Sequence, residues 1–432
     1  MFPRFTSLPR LTARWRALDT PTALLFLLRW LLLSVVVGAL AGSASAFFLV
    51  ALEWVTQWRE SHVWVLGLLP VAGWLIGLAY HYFGDRVVRG NNLILDEIHA
   101  RHTHLIPGRL VPLVLGGTLL THLAGGSAGR EGTAVQMGGA LADQLTRLFR
   151  LRPRDRRLLL IAGMSAGFAS VFGTPLAGAV FGLEVFLLGT VRYDALLPAF
   201  LAAVSADFVT RAWGVGHTHY PQLAALPITP LAVGCTLLAA MLFGLAARAF
   251  AVLTHWFGQQ FSRVKYAPLR PVLGGVLVVA AVAALGTTRY IGLGVPVIVE
   301  AFQQPSAPQD FLLKLLLTAL TLGCGFKGGE VTPLFFIGAT LGSALAMVLP
   351  LPVALLAAIG FVGVFAGAAN TPLACLLMGL ELFGMGGAPY LALACVVAYL
   401  FSGHRGIYSA QLIGQAKQLR FGRQQGKRLG VL

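Results

Sequence analysis

Gly129-Arg130-Glu131-Gly132-Thr133 is the stretch that decides how this chain is read, because Gly328-Gly329-Glu330-Val331-Thr332 repeats its pattern, G-x-E-x-T, in the second half. Downstream of the first copy, Phe172-Gly173-Thr174-Pro175-Leu176-Ala177 leads to Gly182-Leu183-Glu184. Downstream of the second, Ala369-Asn370-Thr371-Pro372-Leu373-Ala374 leads to Gly379-Leu380-Glu381. Order and spacing agree: Glu131 to Pro175 is 44 residues, and Glu330 to Pro372 is 42. The natural reading is an internal duplication of roughly 200 residues, which in membrane proteins usually means two repeats facing each other around a midplane site. Close helix packing in lipid explains the glycines by itself. It does not explain carboxylates at equivalent positions, since an ionisable group inside a membrane is costly and marks function by default.

Composition agrees with a membrane setting. The 432 residues are 57% hydrophobic and 11% charged, with a mean hydropathy of +0.78, which excludes an ordinary water-soluble domain. Stretches near the roughly 20 apolar residues needed to cross a bilayer recur at 22–52, 63–82, 155–190, 195–213, 229–257, 270–288, 311–323, 333–349 and 352–402. Some are too long for one crossing, others too short, and 51 glycines and 22 prolines interrupt them. We expect an all-α integral membrane fold of two inverted repeats with broken and half-spanning helices. Repeat one covers 22–213 and repeat two 229–414, with an N-terminal segment at 1–21 and a basic tail at 415–432.

The net charge of +16 suggests nucleic acid only until it is located. Arg4, Arg10, Arg14 and Arg16 precede the first apolar run, and Lys417, Arg420, Arg423, Lys427 and Arg428 follow the last. A third cluster, Arg147, Arg150, Arg152, Arg154, Arg156 and Arg157, marks a short loop. The positive-inside rule makes all three cytoplasmic, and no nucleic-acid partner is expected. A multi-pass protein of the inner cell membrane with both termini in the cytoplasm follows. The first apolar run exceeds the hydrophobic core of a signal peptide and is expected to be retained.

Cys235, Cys324, Cys375 and Cys395 lie in apolar stretches without paired spacing, so neither disulfides nor a metal site is expected. Glu97, His99, His102 and His104 cluster locally but match no ligand spacing and read as a hydrated loop. Gly323-x-Gly325-x-x-Gly328 imitates a dinucleotide fingerprint but follows no strand. No cofactor is expected. No nucleophile–base pair accompanies Glu131 and Glu330 either, which argues against an enzyme.

Each G-x-E-x-T precedes a helical apolar run, so Glu131 and Glu330 mark helix starts, where free N–H groups and the helix dipole favour an anion. Glycine lets amides approach an ion closely, and Thr133 and Thr332 offer hydroxyls or caps. A carboxylate there has two states: ionised, it occupies the anion's place; protonated, it leaves. The alternative is buried structural pairing with Arg130 or Lys327. Gly90-Asn91-Asn92-Leu93-Ile94 opens another helix whose amides and Asn side chains face an anion or simply cap a turn. Tyr408, expected to open the last helical piece, is either a hydroxyl donor or an interfacial anchor.

These motifs resemble those of the CLC anion transporters. Gly129–Thr133 is similar to the family's G-R-E-G-P signature, Gly329-Glu330-Val331-Thr332-Pro333 to its G-x-F-x-P, Gly90–Ile94 to its G-S-G-I-P, and Tyr408 to its pore tyrosine. The resemblance implies a homodimer with one anion pathway per subunit. It implies Glu131 as the gating and proton-carrying glutamate, and an anion site from Asn91, Gly129, Arg130, Gly132, Thr133, Glu330, Val331, Thr332 and Tyr408. Asn91, Thr133 and Glu330-Val331-Thr332 depart from the chloride pattern and resemble the fluoride/proton antiporter branch; a chloride transporter or channel is the alternative. The position of the internal proton relay in chloride antiporters is occupied by Val185, next to Glu184, which reads as a packing residue.

Overall fold

In the computed structural model the described residues are 20–99 and 104–431. Among them are sixteen α-helices, eight in each half. The first eight are α1 (Thr20–Ser61), α2 (Leu69–Phe83), α3 (Asn91–His99), α4 (Leu110–Leu123), α5 (Glu131–Leu148), α6 (Pro153–Phe172), α7 (Pro175–Glu184) and α8 (Leu196–Ala212). The second eight are α9 (Pro230–Ser262), α10 (Leu269–Leu285), α11 (Val295–Glu300), α12 (Asp310–Gly323), α13 (Val331–Leu345), α14 (Val353–Ala369), α15 (Pro372–Phe383) and α16 (Ala388–Phe401).

Each half runs long, medium, short, then three medium, short and medium, and the duplication is visible in that rhythm. The opening helices have 42 and 33 residues. At 1.5 Å per residue α1 measures about 60 Å, twice the ~30 Å hydrocarbon layer, so it is tilted or projects beyond it. Helices α3 and α11 have only nine and six residues and cannot span.

The long apolar runs break where left-handed caps and prolines coincide. Gly173 (φ 69°) ends α6 and Pro175 starts α7; Asn370 (φ 60°) ends α14 and Pro372 starts α15. A left-handed residue turns the chain out of the helix, and proline suits the first turn of the next. The runs at 155–190 and 352–402 therefore become series of separate helices. Paired helices touch through glycine at matched positions. A methyl group on Gly163 would lie 2.6 Å from the Ala142 Cβ, and one on Gly338 2.5 Å from the Gly360 carbonyl carbon, so α5–α6 and α13–α14 pack backbone to backbone.

The halves meet along a pseudo-symmetric seam. Gly129 donates its amide to the Gly329 carbonyl at 2.6 Å and Gly329 returns the bond at 2.7 Å. Farther along, Glu184 at the end of α7 accepts from the amides of Leu373 (3.2 Å) and Ala374 (3.0 Å) at the start of α15. Glu381 of α15 accepts from Leu176 (3.0 Å) and Ala177 (2.8 Å) at the start of α7. Each helix caps the other's free N–H groups with a carboxylate. Glu184 thus has a specific structural task beyond packing.

Two expectations are corrected. Tyr408 opens no helix: the chain beyond Phe401 is irregular apart from 3₁₀ turns and β2 (Leu412–Ile413), which pairs in parallel with β1 (Leu187–Leu188). The basic tail folds back on the body of the chain. Leu412 bridges to Arg428, Arg428 pairs with Asp96 at 2.9 Å, and Leu429 is buried. Glu97 and His99 lie in α3 rather than in a hydrated loop. Glu97 is buried between Arg86 (2.7 Å) and Arg156 (3.2 Å), and His99 bonds the Phe186 carbonyl at 2.8 Å. His102, residues 1–19 and with them Arg4, Arg10, Arg14 and Arg16 lie outside the described residues. Among the described residues no three ligating side chains converge on a metal position. The four cysteines are buried and unpaired.

Candidate functional site

Two loops, one ahead of α5 and one ahead of α13, cross at the Gly129–Gly329 bridge, and the two helix starts point into the middle of the molecule. Glycine at 329 permits this: a methyl group there would lie 2.7 Å from the Gly132 nitrogen and 3.1 Å from the Glu131 nitrogen. The amides at the start of α5 thus abut the opposite loop with nothing between.

Glu131 is the first residue of α5 and is 1% exposed. Its carboxylate does not cap its own helix but reaches across to the start of α13. Oε2 accepts from the Thr332 amide at 3.1 Å and the Arg130 amide at 3.1 Å, and Oε1 accepts from the Thr332 hydroxyl. The Arg130 guanidinium stands 3.7 Å from Oε1. The carboxylate of one repeat therefore sits where the helix start of the other repeat would hold a free anion. Arg59, Lys314 and Arg130 all lie within electrostatic reach of the buried His122, whose Nε2 is 3.4 Å from the Gly129 carbonyl, so this end of the site is cationic.

Glu330 is the residue before α13, one place short of the position that Glu131 takes in α5, and its environment differs. Its Oε2 has no hydrogen-bond partner among the described residues, and no ion pair joins it to Lys327. It faces a chamber of about 160 Å³ lined also by Asn91, Asn92, Gln136, Lys327 and Tyr408. The Asn91 side-chain nitrogen and Glu330 Oε2 converge on Gly132, 3.2 and 3.5 Å from where its Cβ would be. Lys327 lies over the Tyr80 ring, 4.2 Å from its centre.

The other expected residues divide. Tyr408 is buried against Phe181 and borders the chamber. Val331 is buried at the first position of α13. Gly129 and Gly132 lie where the two loops come close, their Cβ positions 3.0 Å from the Gly329 carbonyl oxygen and 3.1 Å from the Gly329 Cα. The Thr133 hydroxyl is not presented to the site, because it is bonded to Thr118 at 2.7 Å. Asn92, Gln136 and Tyr80 were not singled out individually; their signal would have been polar positions on the helices flanking the Gly-rich starts. The arrangement puts a carboxylate on the donors of a helix start, where free N–H groups and the helix dipole favour negative charge.

A family model described as voltage gated chloride channel matches residues 72–403. A chloride/fluoride channel protein of Pseudomonas syringae pv. tomato is 58% identical over 91% of this chain and 89% of its own length. An H+/Cl− exchange transporter, ClcA, of Vibrio vulnificus is 27% identical over 88% of this chain and 86% of its own. Among solved structures, a CLC-type fluoride/proton antiporter superposes with a TM-score of 0.86 and 38% identity, covering 89% of this chain and 98% of the other.

Proposed function

We propose, for a chain that belongs to the voltage-gated chloride channel family, the CLC proteins, that it exports fluoride from the cytoplasm in exchange for protons. The observation that carries the reading is the Glu131 carboxylate on the Thr332 amide, the Thr332 hydroxyl and the Arg130 amide, in an anion's place.

Ionised, Glu131 fills that place and the pathway is closed. A proton from outside removes its charge, weakens those three bonds and lets the side chain swing out. Fluoride entering from the chamber then takes the vacated donors. Fluoride is small and holds water tightly, so leaving water is costly unless donors are close. A hydroxyl beside an amide on Thr332, an Asn91 side chain and a tyrosine hydroxyl suit it. The 58% and 38% identities to proteins whose names include fluoride favour the same anion.

The rim that carries Arg86, Arg89, Arg147, Arg152, Arg154 and Arg428 is assigned to the cytoplasm by the positive-inside rule. A homodimer in the inner membrane completes the reading, and no enzymatic step is assigned. Liposomes carrying the purified protein, loaded with fluoride or with chloride while proton uptake is recorded, test it. Fluoride efflux that draws protons inward, with chloride far slower, is expected. Comparable chloride flux would place the chain on the chloride branch.

A further inference from the structure

Two cavities meet at Glu330, and anion transfer uses only one of them. The second, of about 410 Å³, also contains Leu322, Gly323 and Ile407, and one wall is the polar stripe of α9 formed by Thr254, His255, Gln259 and Ser262. Gly323 lets α12 lie directly on α9 at the cavity's edge: a methyl group there would lie 2.5 Å from the Phe257 Cβ and 3.0 Å from the Thr254 carbonyl oxygen.

The wall is arranged to accept hydrogen bonds. Thr254 donates its hydroxyl to the Phe250 carbonyl at 2.8 Å, and Ser262 donates to the Gln259 carbonyl at 2.7 Å, so both oxygens keep lone pairs for the cavity. His255 Nδ1 is 2.6 Å from the Ala251 carbonyl, which requires the hydrogen on Nδ1 and leaves Nε2 a bare acceptor. No lysine or arginine lines this cavity, whereas Arg89 and Lys327 line the chamber. A passage without cations or helix-start amides does not hold a dehydrated anion, but hydroxyls, an amide and an imidazole support water and proton transfer.

The cavity reaches Ser262, the last residue of α9. Tyr266, just past α9, packs 5.7 Å from the His81 ring of α2, and the residues after α2 include Arg86, joined through Glu97 to Arg156. Glu184 offers no alternative route, since both its oxygens are bonded to α15 amides.

We propose that the α9 cavity is the proton's own passage to the cytoplasm, with His255 relaying between Glu330 and the rim while fluoride uses the chamber. This rests on the antiport reading above. A proton delivered by Glu131 passes to Glu330, then through water to His255 Nε2; the imidazolium gives the Nε2 proton up again to water on the rim side, with Nδ1–H held on the Ala251 carbonyl throughout, so no charge is left behind. The titratable and charged groups on Glu330 from neighbouring elements are Glu131, Tyr408, Tyr80, Lys327 and Arg89. His255 faces none but Glu330 among the residues lining its cavity.

The test compares wild type, His255→Ala and Thr254→Cys in liposomes, recording fluoride efflux and proton uptake, with fluoride binding measured separately by calorimetry. The native cysteines are buried, so a charged thiol reagent applied at the cytoplasmic face reports on position 254. We expect His255→Ala to slow coupled exchange about tenfold or more with fluoride affinity unchanged. We expect Thr254→Cys to react and, once labelled, to slow in the same way. Coupled exchange at the wild-type rate in His255→Ala, or a Thr254→Cys variant whose new thiol is inert to the reagent, overturns the passage while leaving antiport standing. A wild-type protein that moves fluoride without protons removes the antiport reading and this passage with it.

Discussion

Glu131 and Glu330 fall on one sequence pattern, but Glu131 is the first residue of α5 and Glu330 the residue before α13, and their surroundings are opposite. Glu131 uses both oxygens on three donors; Glu330 has an oxygen without a partner and borders two cavities. The difference traces to that offset: counted from the paired Gly129 and Gly329, Glu131 is two residues on and Glu330 one. Thr118 in α4 ties up the hydroxyl of Thr133. Thr318 of α12 bonds Ser127 at 2.8 Å, and the Thr332 hydroxyl, second in α13, is on Glu131. Duplication supplies two carboxylates and two helix starts, and a one-residue offset sets one carboxylate on the opposite helix's donors and leaves the other facing two cavities. A symmetric site would bind an anion; an asymmetric one can gate it.

If that asymmetry is functional, neutralising the two carboxylates has unequal effects. Glu131→Gln should abolish proton-coupled exchange, a loss of at least about 100-fold in liposome flux. Equal losses from Glu330→Gln would erase the distinction; the expected loss there is roughly 10- to 100-fold, with fluoride binding retained. Thr332→Val removes one charge-assisted bond of ~1.5 kcal/mol, so the closed state should weaken by about tenfold, read as lower proton-per-fluoride coupling. Preserved coupling in that variant would mean the amides alone hold the gate.

The second pair across the seam, Glu184 and Glu381, remains symmetric, and it should behave as structure. Alanine at either should lower stability by ~1–3 kcal/mol in detergent unfolding, with flux per folded protein close to wild type. A flux defect in Glu184→Ala at normal stability would return that residue to transport.

The repeat, its broken helices and the meeting of the Gly-rich starts were legible because they depend on local signals: Gly, Thr-Pro and carboxylates at fixed spacing. Cross-capping was not, since Glu184 and Ala374 are 190 residues apart and nothing local marks an acceptor for another helix's amides. Nor was the diverted Thr133, whose partner belongs to a neighbouring helix. The segment after Tyr408 reads as helix by its apolar pattern, yet it is recruited to free carbonyls at two helix ends. Gln411 donates to Val185 and Ala369, and Gly414 to Leu188 at 3.0 Å. Tertiary demand for donors outweighs a modest helix preference there.

The claim on which everything else depends is that the Glu131 carboxylate and fluoride compete for one set of donors. Calorimetry of fluoride binding in buffers of different ionisation enthalpy counts the protons exchanged. The account predicts about one proton taken up per fluoride bound by the wild type near neutral pH, and none by Glu131→Gln, which binds fluoride with little dependence on pH. Fluoride binding to the wild type with no proton uptake would contradict it.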